Sequence, residues 1–469
     1  MKKALVFLAA VAMSLPLVAC GTQNGASSVA NGDSQKNVST SAKGVEEGSN
    51  KSAFGESDTD VYVDIYGVYG QDDIRATFIQ EKADEYAKKY EEETGISAKI
   101  EYVSQDGYDG VAEKLTAGAV SNELPVIGQI EESFLPQFYP IATDLSKYMD
   151  QEVIDNYLDG LMVSTYYDDT LYAVPGGRSY PVVYVNKDLV EQSGHKVDEI
   201  KTWDDFHTVA SDIAALGDDI EGYGVFWDTD CWMWESALYS NGGSVTSDDG
   251  SEVTFQKDGA GAVFPQLVKD MLADGSAYSA YGETASSPED AYEEKFLQGK
   301  QGMLFTSCTT YGSLKNLIET EGYDPINIVI IDQPSGTDGN SVTTGGSNFI
   351  ICNKATEAQK KVAAGFLTYF SSDENQAAWN MKSGYLATTK SVYDSEYYKE
   401  NAKDPNLVQI AEGVKYAHKR PQTKHWREMY TYMVQYLEDF AMHPDKYDCN
   451  ELINDMAEYC QGIIKDGGQ

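Results

Sequence analysis

The sequence predicts an α/β protein built as two lobes that are joined by two strands. From Asp60 onward, stretches of strand-like apolar alternation take turns with stretches of helical spacing, which is typical of mostly parallel sheets flanked by helices. Two strand-like segments, YPVVYVN (180–186) and GGSNFIICN (345–353), lie at the joins between the two blocks and are bounded by glycine. Two connecting strands would form a hinge, and the cleft between two lobes is a usual place for a ligand.

The first block has a β-α-β-α-β order, which indicates a parallel sheet. Its expected elements are a strand at 61–70, a helix from Asp72 to Glu93 that ends at Gly95, a strand at 97–103, a helix from Asp109 to Ser121 and a buried strand at 124–130.

The second block is marked by residues that commonly begin helices. Thr202, Ser287 and Thr356 each precede an apolar helical pattern, Ser287 with proline at the next position. QGMLFTS (301–307) and INIVIIDQP (326–334) are expected strands. The stretch from about residue 404 onward is expected to be mostly helical.

The N-terminal 57 residues are expected to lie outside the fold. Residues 1–19 carry two lysines, an apolar run and a box of small residues before Cys20, the arrangement of a bacterial lipoprotein signal peptide, and ordinary secretion is the alternative. Lipidation of Cys20 would anchor the protein to the outer face of the cytoplasmic membrane. Residues 20–57 are rich in Gly, Ser and Asn and predict a flexible tether.

The charge of the chain narrows the class of partner. The formal net charge is −40 over 469 residues. Nucleic acid is excluded as a natural partner, because phosphate backbones require a basic surface. An anionic small molecule would need cations placed locally against this field.

The sequence contains no motif for catalysis or for a metal. HExxH, GxSxG, phosphate-loop and dinucleotide motifs are absent, the five histidines lack metal-ligand spacing, and no cysteines form a CxxC pair. We therefore expect no enzyme activity, no metal and no cofactor. The five cysteines after Cys20 show no paired spacing, so a disulfide framework is not expected.

Aromatic residues point to a hydroxylated ligand. The chain has 33 tyrosines and six tryptophans, three of which stand in GVFWDTDCWMWES as Trp227, Trp232 and Trp234. Flat aromatic faces pack against the C–H faces of sugar or polyol rings, and polar side-chain tips bond the hydroxyl groups. Most of these aromatics are expected in the core, but at least one of the three tryptophans is expected to line a cleft.

The stretch LYAVPGGRSYPVVYVNKDLVEQSG (171–194), followed by KTWDDF, resembles the lobe-crossing segment of family 1 extracellular solute-binding proteins of ABC importers. KFLQGKQGMLFTS (295–307) and the long phrase beginning TTGGSNFIICN match the family in the same order. The resemblance covers essentially the whole mature domain. It implies a two-lobed, periplasmic-binding-protein-like (Venus flytrap) fold. The two lobes would comprise residues 58–180 with 343–384 and residues 181–342 with 385–469.

The phrases are similar in particular to the branch that binds glycerol-3-phosphate and related glycerophosphodiesters, which implies ligand contacts at the matching positions. These positions are Tyr108, Glu132, Ser179, Thr309 or Thr310, Gly346, Tyr385 and Arg427. In this assignment Arg427 and the amide of Gly346 would hold a phosphate, and Glu132 would accept glycerol hydroxyls. Relatives with the same phrases bind neutral saccharides, and Trp227 and Trp232 would suit such a ligand.

Arg178, Ser179 and Tyr180 stand at the mouth of the first hinge strand, where they are expected to face the cleft. Arg178 would be either a second phosphate contact or a salt-bridge residue of the hinge. The alternative is that residues 175–177 form only a tight turn and that Arg178 is a surface charge. Arg178 and Tyr180 replace small hydroxyl residues of the family, and Ala387 replaces its proline.

The predicted function is that of a lipid-anchored substrate-binding protein of an ABC importer. It would capture a carbohydrate or a glycerol-3-phosphate-type solute and deliver it to permease subunits in the membrane, acting as a monomer and leaving the solute chemically unchanged. The alternatives are an exported carbohydrate-active enzyme and a ligand-sensing surface lipoprotein with the same fold.

Overall fold

The computed structural model describes residues 60–227, 231–282, 287–320, 322–401, 403–418, 420–421 and 423–467. The predicted signal peptide, the lipidation site Cys20 and the tether therefore lie outside the described residues. Within the described residues, no helix combines the length and the apolar character needed to cross a bilayer.

The predicted strands are present in their predicted order, and further strands lie between them. They are β1 (Asp60–Gly67), β2 (Ser97–Ser104), β3 (Ile127–Glu131), β4 (Tyr166–Tyr167), β5 (Thr170–Leu171), β6 (Val174–Ser179), β7 (Pro181–Asn186), β8 (Glu221–Gly224), β9 (Ala277–Tyr278), β10 (Gln301–Ser307), β11 (Ile328–Ile331), β12 (Val342–Thr343), β13 (Gly345–Ile351) and β14 (Ala417–His418).

Each lobe is organised around a five-stranded sheet. The first sheet has the order β2-β1-β3-β13-β6, and only β13 runs against the other strands. The second sheet has the order β11-β7-β10-β8-β9, and only β7 runs against the others. The prediction of two mostly parallel sheets is confirmed.

Helices cover the sheets. They are α1 (Ile74–Thr94), α2 (Tyr108–Ser121), α3 (Leu135–Phe138), α4 (Gln151–Asp155), α5 (Asp159–Met162), α6 (Lys187–Gln192), α7 (Trp203–Ala214), α8 (Trp232–Ser240), α9 (Ala260–Asp274), α10 (Pro288–Leu297), α11 (Thr310–Thr320), α12 (Glu357–Phe370), α13 (Asp373–Ser383), α14 (Lys390–Asp394), α15 (Glu396–Asn401), α16 (Pro405–Gly413), α17 (Trp426–Met442) and α18 (Cys449–Asp466).

The helix starts predicted from capping residues are confirmed. The side chains of Thr202, Ser287 and Thr356 accept hydrogen bonds from the backbone amides three residues later, at 3.2, 3.2 and 3.3 Å. The two threonines form reciprocal capping boxes. These local bonds fix where α7, α10 and α12 begin and therefore which helix face meets the sheet.

Each lobe has its own apolar core. One core joins the buried faces of β1, β3 and β13 to α1 and α12, and the other joins β7 and β10 to α7, α8, α17 and α18. Tyr430 on α17 packs against both cores. The cysteines at positions 231, 308, 352, 449 and 460 are all buried and no disulfide joins any of them, and burial raises the pKa of Cys308 to about 12.

The chain crosses between the sheets at two paired strands. Tyr180 is the one residue between β6 and β7, and its buried hydroxyl donates a hydrogen bond of 2.7 Å to the carbonyl oxygen of Ile410. β13 returns the chain to the first sheet and pairs with β6. Gly346 has a φ of 89°, and a Cβ there would collide with the carbonyl oxygen of Gly177, so only glycine lets the two strands approach this closely. The two predicted connecting strands are therefore present, and their action as a hinge stays a prediction.

Candidate ligand-binding cleft

A cavity of about 640 Å³ lies between the two lobes, a volume within the usual range for small-molecule sites. Its lining comes from both lobes and from α17. The residues are Asp106, Gly107, Tyr108, Asp109, Glu131, Phe134, Ser179, Trp232, Ser307, Thr309, Gly345, Gly346, Tyr385, Tyr430, Thr431, Val434 and Gln435.

The topology explains why these side chains meet. Strands β3, β6 and β10 end at Glu131, Ser179 and Ser307, while α2 and α8 begin at Tyr108 and Trp232. In open α/β sheets, ligands bind beyond the carboxyl ends of the strands, because the loops and helix starts that carry polar side chains gather there. The cleft therefore follows from the order of the elements.

Six of the predicted ligand contacts line this cleft. They are Tyr108, Ser179, Trp232, Thr309, Gly346 and Tyr385. Thr310, the alternative to Thr309, instead lines a different pocket, next to α10 and α11. Of the two threonines, Thr309 is therefore the one that faces the cleft.

Glu132 does not face the cleft, and its neighbour Glu131 does. Glu132 is fully buried and pairs with Arg178, whereas Glu131 lines the cavity and accepts a hydrogen bond of 2.7 Å from the amide of Ser133. Adjacent side chains at the end of a strand point to opposite sides, so a shift of one residue reverses the assignment. The predicted role of Glu132 is corrected accordingly.

Arg178 is a buried structural cation rather than a cleft residue or a surface charge. Its guanidinium donates to Glu132, to the hydroxyl of Thr344 at 2.7 Å and to the side-chain oxygen of Asn348 at 2.9 Å. The hydroxyl of Thr344 also donates to Glu132 at 2.9 Å. This cluster links β6, the residue before β13 and the end of β3. Of the predicted roles of Arg178, the structure therefore matches that of a salt-bridge residue at the connecting strands.

The tryptophans divide between core and cleft. Trp227 is fully buried against Phe264 and Phe440, with ring centroids 5.7 and 6.2 Å away. Contrary to the prediction, it does not line the cleft. Trp234 is also buried, and its indole donates to a backbone carbonyl. Trp232 lines the cleft, and its indole N–H is buried without a hydrogen-bond partner among the described residues. Trp232 therefore keeps a free donor beside the cavity.

Arg427 lies outside the cleft and is already paired. Its Nε atom is 2.6 Å from Asp109 and its Nη2 atom 3.5 Å from Glu113, both on α2. The side chain lines a groove next to the cleft. The guanidinium predicted to hold a phosphate is therefore bound by two carboxylates at the rim.

Arg420 is a site residue that sequence reasoning missed. It is buried behind the cleft, with Nη1 at 3.4 Å from Glu131 and Nη2 at 2.6 Å from Glu235 on α8. Tyr239 donates to the second oxygen of Glu235 at 3.0 Å. The arginine thus holds the cleft carboxylate Glu131 in place. The short basic stretch HKRPQTKHWR (418–427), unusual in so acidic a chain, is the signal that could have found it.

The cleft offers flat aromatic faces. Phe134 and Tyr430 are stacked with ring centroids 6.3 Å apart, and Tyr385 is stacked on Trp379 at 5.8 Å. Burial, reinforced by the neighbouring Tyr385, raises the pKa of Tyr108 well above its ordinary value, so its phenol stays neutral. Neutral phenols can both donate and accept hydrogen bonds.

The polar groups of the cleft are hydroxyls and carboxylates. The hydroxyls of Ser307 and Thr309 lie 2.8 Å apart, and the charged side chains of the lining are Asp106, Asp109 and Glu131. Among the described residues, no lysine or arginine lines the cavity. Nor do the described residues contain a cluster of three or more His, Cys, Asp or Glu side chains that could hold a metal ion. The arrangement can hydrogen-bond hydroxyl groups but does not neutralise an anion.

Residues 85–406 match the family of bacterial extracellular solute-binding proteins. The chain belongs to this family. Membership confirms the resemblance found in the sequence and agrees with the prediction of a binding protein rather than an enzyme.

Relatives among well-described proteins match part of this solute-binding protein. The sn-glycerol-3-phosphate-binding periplasmic protein UgpB of Escherichia coli (strain K12) is 29% identical over 251 residues, which are 50% of this chain and 53% of the relative. The protein of the same name from Shigella dysenteriae is 29% identical over 248 residues. The chain thus spans about half the length of the relatives it matches.

Solved structures show the fold over most of the chain. A cyclic alpha-maltosyl-1,6-maltose binding protein from Arthrobacter globiformis has a TM-score of 0.70 at 20% identity, covering 87% of this chain and 99% of its own. UgpB from Mycobacterium tuberculosis, in complex with glycerophosphocholine, has a TM-score of 0.69 at 17% identity, covering 88% of this chain and 100% of its own. These similarities confirm the two-lobed fold, and the fold is shared by binders of saccharides and of a phosphodiester.

Proposed function

We propose that this protein captures a neutral carbohydrate or polyol in the cleft and delivers it to the permease of an ABC importer. The observation that carries the proposal is the lining of the cleft. Aromatic faces of Trp232, Phe134 and Tyr430 surround hydroxyls and the carboxylate of Glu131, without a basic side chain among the described lining residues. Aromatic faces with carboxylates and hydroxyls are the groups that bind sugar rings.

A neutral ligand is favoured over a phosphate by the state of the arginines. Arg178, Arg420 and Arg427 are each bound to carboxylates. A phosphate would have to displace one of these partners and enter a cleft that carries three acidic side chains. The name of the UgpB relatives favours glycerol-3-phosphate, so that ligand is the alternative to test.

Binding would act through lobe closure and leave the solute unchanged. The cleft takes Tyr108 and Glu131 from one lobe and Trp232 and Thr309 from the other. A ligand that bridges both lobes stabilises the closed arrangement by the difference between its affinities for the closed and open states. The closed form would then dock on the permease as a monomer.

The membrane anchor is part of the same proposal. The box Leu17-Val18-Ala19-Cys20 supports lipidation of Cys20, which would keep the binding protein beside its permease. Metabolic labelling with a radioactive fatty acid should mark the wild type and not a Cys20→Ala variant, which should be released into the medium. Equal labelling of both would overturn this part.

A thermal-shift panel of neutral sugars, polyols, glycerol-3-phosphate and glycerophosphocholine tests the ligand class. We expect stabilisation by a neutral compound, lost in Trp232→Ala and weakened in Thr309→Ala. The matched control Thr310→Ala, one residue outside the cleft, should bind like the wild type. Stabilisation only by the phosphates, lost in Arg427→Ala, would overturn the neutral-ligand proposal.

A further inference from the structure

A groove of about 770 Å³ continues the cleft along α17. Thr431 and Gln435, one helical turn apart, line both spaces. Tyr430 and Val434 face only the cleft, whereas Tyr432 faces only the groove. One helix therefore forms the shared wall, and a ligand that fills the cleft can leave it over Thr431 and Gln435.

The floor of the groove is an aromatic platform. Tyr432 of α17 and Tyr459 of α18 are stacked with ring centroids 3.5 Å apart and planes 12° from parallel. Tyr436 packs against Tyr432 at 4.6 Å, which supports the stack from the side. Tyr459 nevertheless remains 49% exposed. A rigid, exposed aromatic pair beside a ligand cleft is suited to receive a flat apolar face.

Polar side chains that can bond hydroxyl groups surround this platform. Gln137 and Lys424 line the groove, and in the described part of the chain Lys424 has no ion-pair partner. The other prominent cation, Arg427, is neutralised by Asp109 and Glu113. Amide, hydroxyl and ammonium groups around an aromatic face can bond the equatorial hydroxyls of a sugar ring.

A second pocket, which shares Thr309 with the cleft, has no aromatic pair among its described lining residues and contains Glu289 and Glu293. Its tyrosine, Tyr311, is held by Asp404 at 2.6 Å. The aromatic platform on α17 and α18 therefore marks the direction in which a longer ligand would extend.

We propose that the groove is a second carbohydrate subsite and that the solute is an oligosaccharide, which deepens the proposed function and rests on it. One ring occupies the cleft beside Trp232. The chain then passes Thr431 and Gln435, and a following ring lies on the exposed ring of Tyr459, which Tyr432 supports from behind.

Calorimetric titration with linear gluco-, cello-, manno-, xylo- and galacto-oligosaccharides of increasing length, each with its monosaccharide, tests the subsite. We expect affinity to rise with chain length in at least one series. In Tyr459→Ala the longer members should lose about fivefold to tenfold in affinity, whereas the monosaccharide should bind as to the wild type. Tyr459→Phe keeps the ring and should retain the affinity for long chains.

Tyr167→Ala is the matched control, because Tyr167 is an exposed tyrosine stacked on another, Tyr139, and lines neither space. It should leave every affinity unchanged. Equal affinity for short and long members, or an equal loss for both in Tyr459→Ala, would overturn the subsite while leaving the proposed function intact. Failure of every carbohydrate and every polyol to bind would overturn the proposed function itself.

Discussion

The guanidinium of Arg427 lies 2.6 Å from the carboxylate of Asp109 and joins α17 to α2 across the rim of the cleft. The two helices belong to the cores of different lobes, so the pair is a contact between the lobes. The side chains of Arg427 and Asp109 are 35% and 59% exposed, and this exposure limits the free energy that the ion pair contributes to holding the lobes together.

The first prediction concerns this pair. Arg427→Ala and Asp109→Asn should each weaken binding of the cleft ligand by up to about fivefold, because an exposed ion pair contributes about 0.2–1 kcal/mol. The double variant should be no weaker than either single one, and high salt should reduce the effect. Calorimetric affinities in a double-mutant cycle measure the coupling. Strictly additive losses would show that the two residues act independently.

The second prediction concerns the cluster that ties the hinge strands. Arg178→Met leaves the buried carboxylate of Glu132 without its cation and should lower the free energy of unfolding by about 3–5 kcal/mol. The double variant Arg178→Met with Glu132→Gln should recover much of that loss, because the uncompensated charge is gone. Urea denaturation measures both. A single variant as stable as the wild type would contradict the argument.

The third prediction uses two adjacent glycines. A Cβ at Gly345 would lie 2.8 Å from Cζ2 of Trp232, so Gly345→Ala should displace the indole and weaken ligand binding by about tenfold or more. Its loss of stability should be smaller than that of Gly346→Ala, because the clashing atom belongs to a side chain and not to the backbone. Gly346→Ala is the contrast, because its positive φ and the Gly177 carbonyl make it destabilising. Thermal denaturation and calorimetry separate the two effects. Identical behaviour of both variants would contradict the assignment.

The fourth prediction is a pH dependence. Burial, with the nearby carboxylates Glu289 and Asp290, raises the pKa of Glu293 from its ordinary value of 4.5 to about 7. The folded state therefore holds this proton more tightly than the unfolded state, and stability should fall as pH rises from about 4.5 to about 7 and then level off. The difference should be on the order of 3 kcal/mol.

Glu293→Gln should remove this dependence and stabilise the protein at about pH 8 more than at about pH 5. Its exposed neighbour gives the matched control, Glu294→Gln, which should keep the wild-type profile. Urea denaturation at the two pH values is the measurement. A wild-type profile in Glu293→Gln would assign the pH dependence to other groups.

Much of the fold could be predicted because its signals are local. A threonine such as Thr202 caps its helix through an amide three residues away, and the glycine at Gly346 marks a strand crossing that only glycine permits. The order of strands and helices then determined where the cleft had to form, and the resemblance to the family together with the aromatic pattern located six of its residues. The exact lobe boundaries stay a prediction.

The rest of the site depends on contacts between distant parts of the chain. Arg420 meets Glu131 and Glu235 across 289 and 185 residues, and no local pattern encodes such a meeting. Glu131 and Glu132 differ only in the direction in which each side chain leaves the strand end. Trp227 and Trp232 have similar surroundings in sequence, yet only one reaches the cavity.

In the proposed lobe closure, Tyr180, alone between β6 and β7, would be the pivot, directly next to the cleft residue Ser179. When one lobe turns on the other, atoms near that point travel little, so Ser179 and Gly346 keep almost the same geometry throughout the swing. Arg427 and Asp109, at the rim of the cleft, would move farther in the same closure. The proposed closure therefore assigns ligand selectivity to residues near the pivot and the rates of ligand entry and release to residues at the rim.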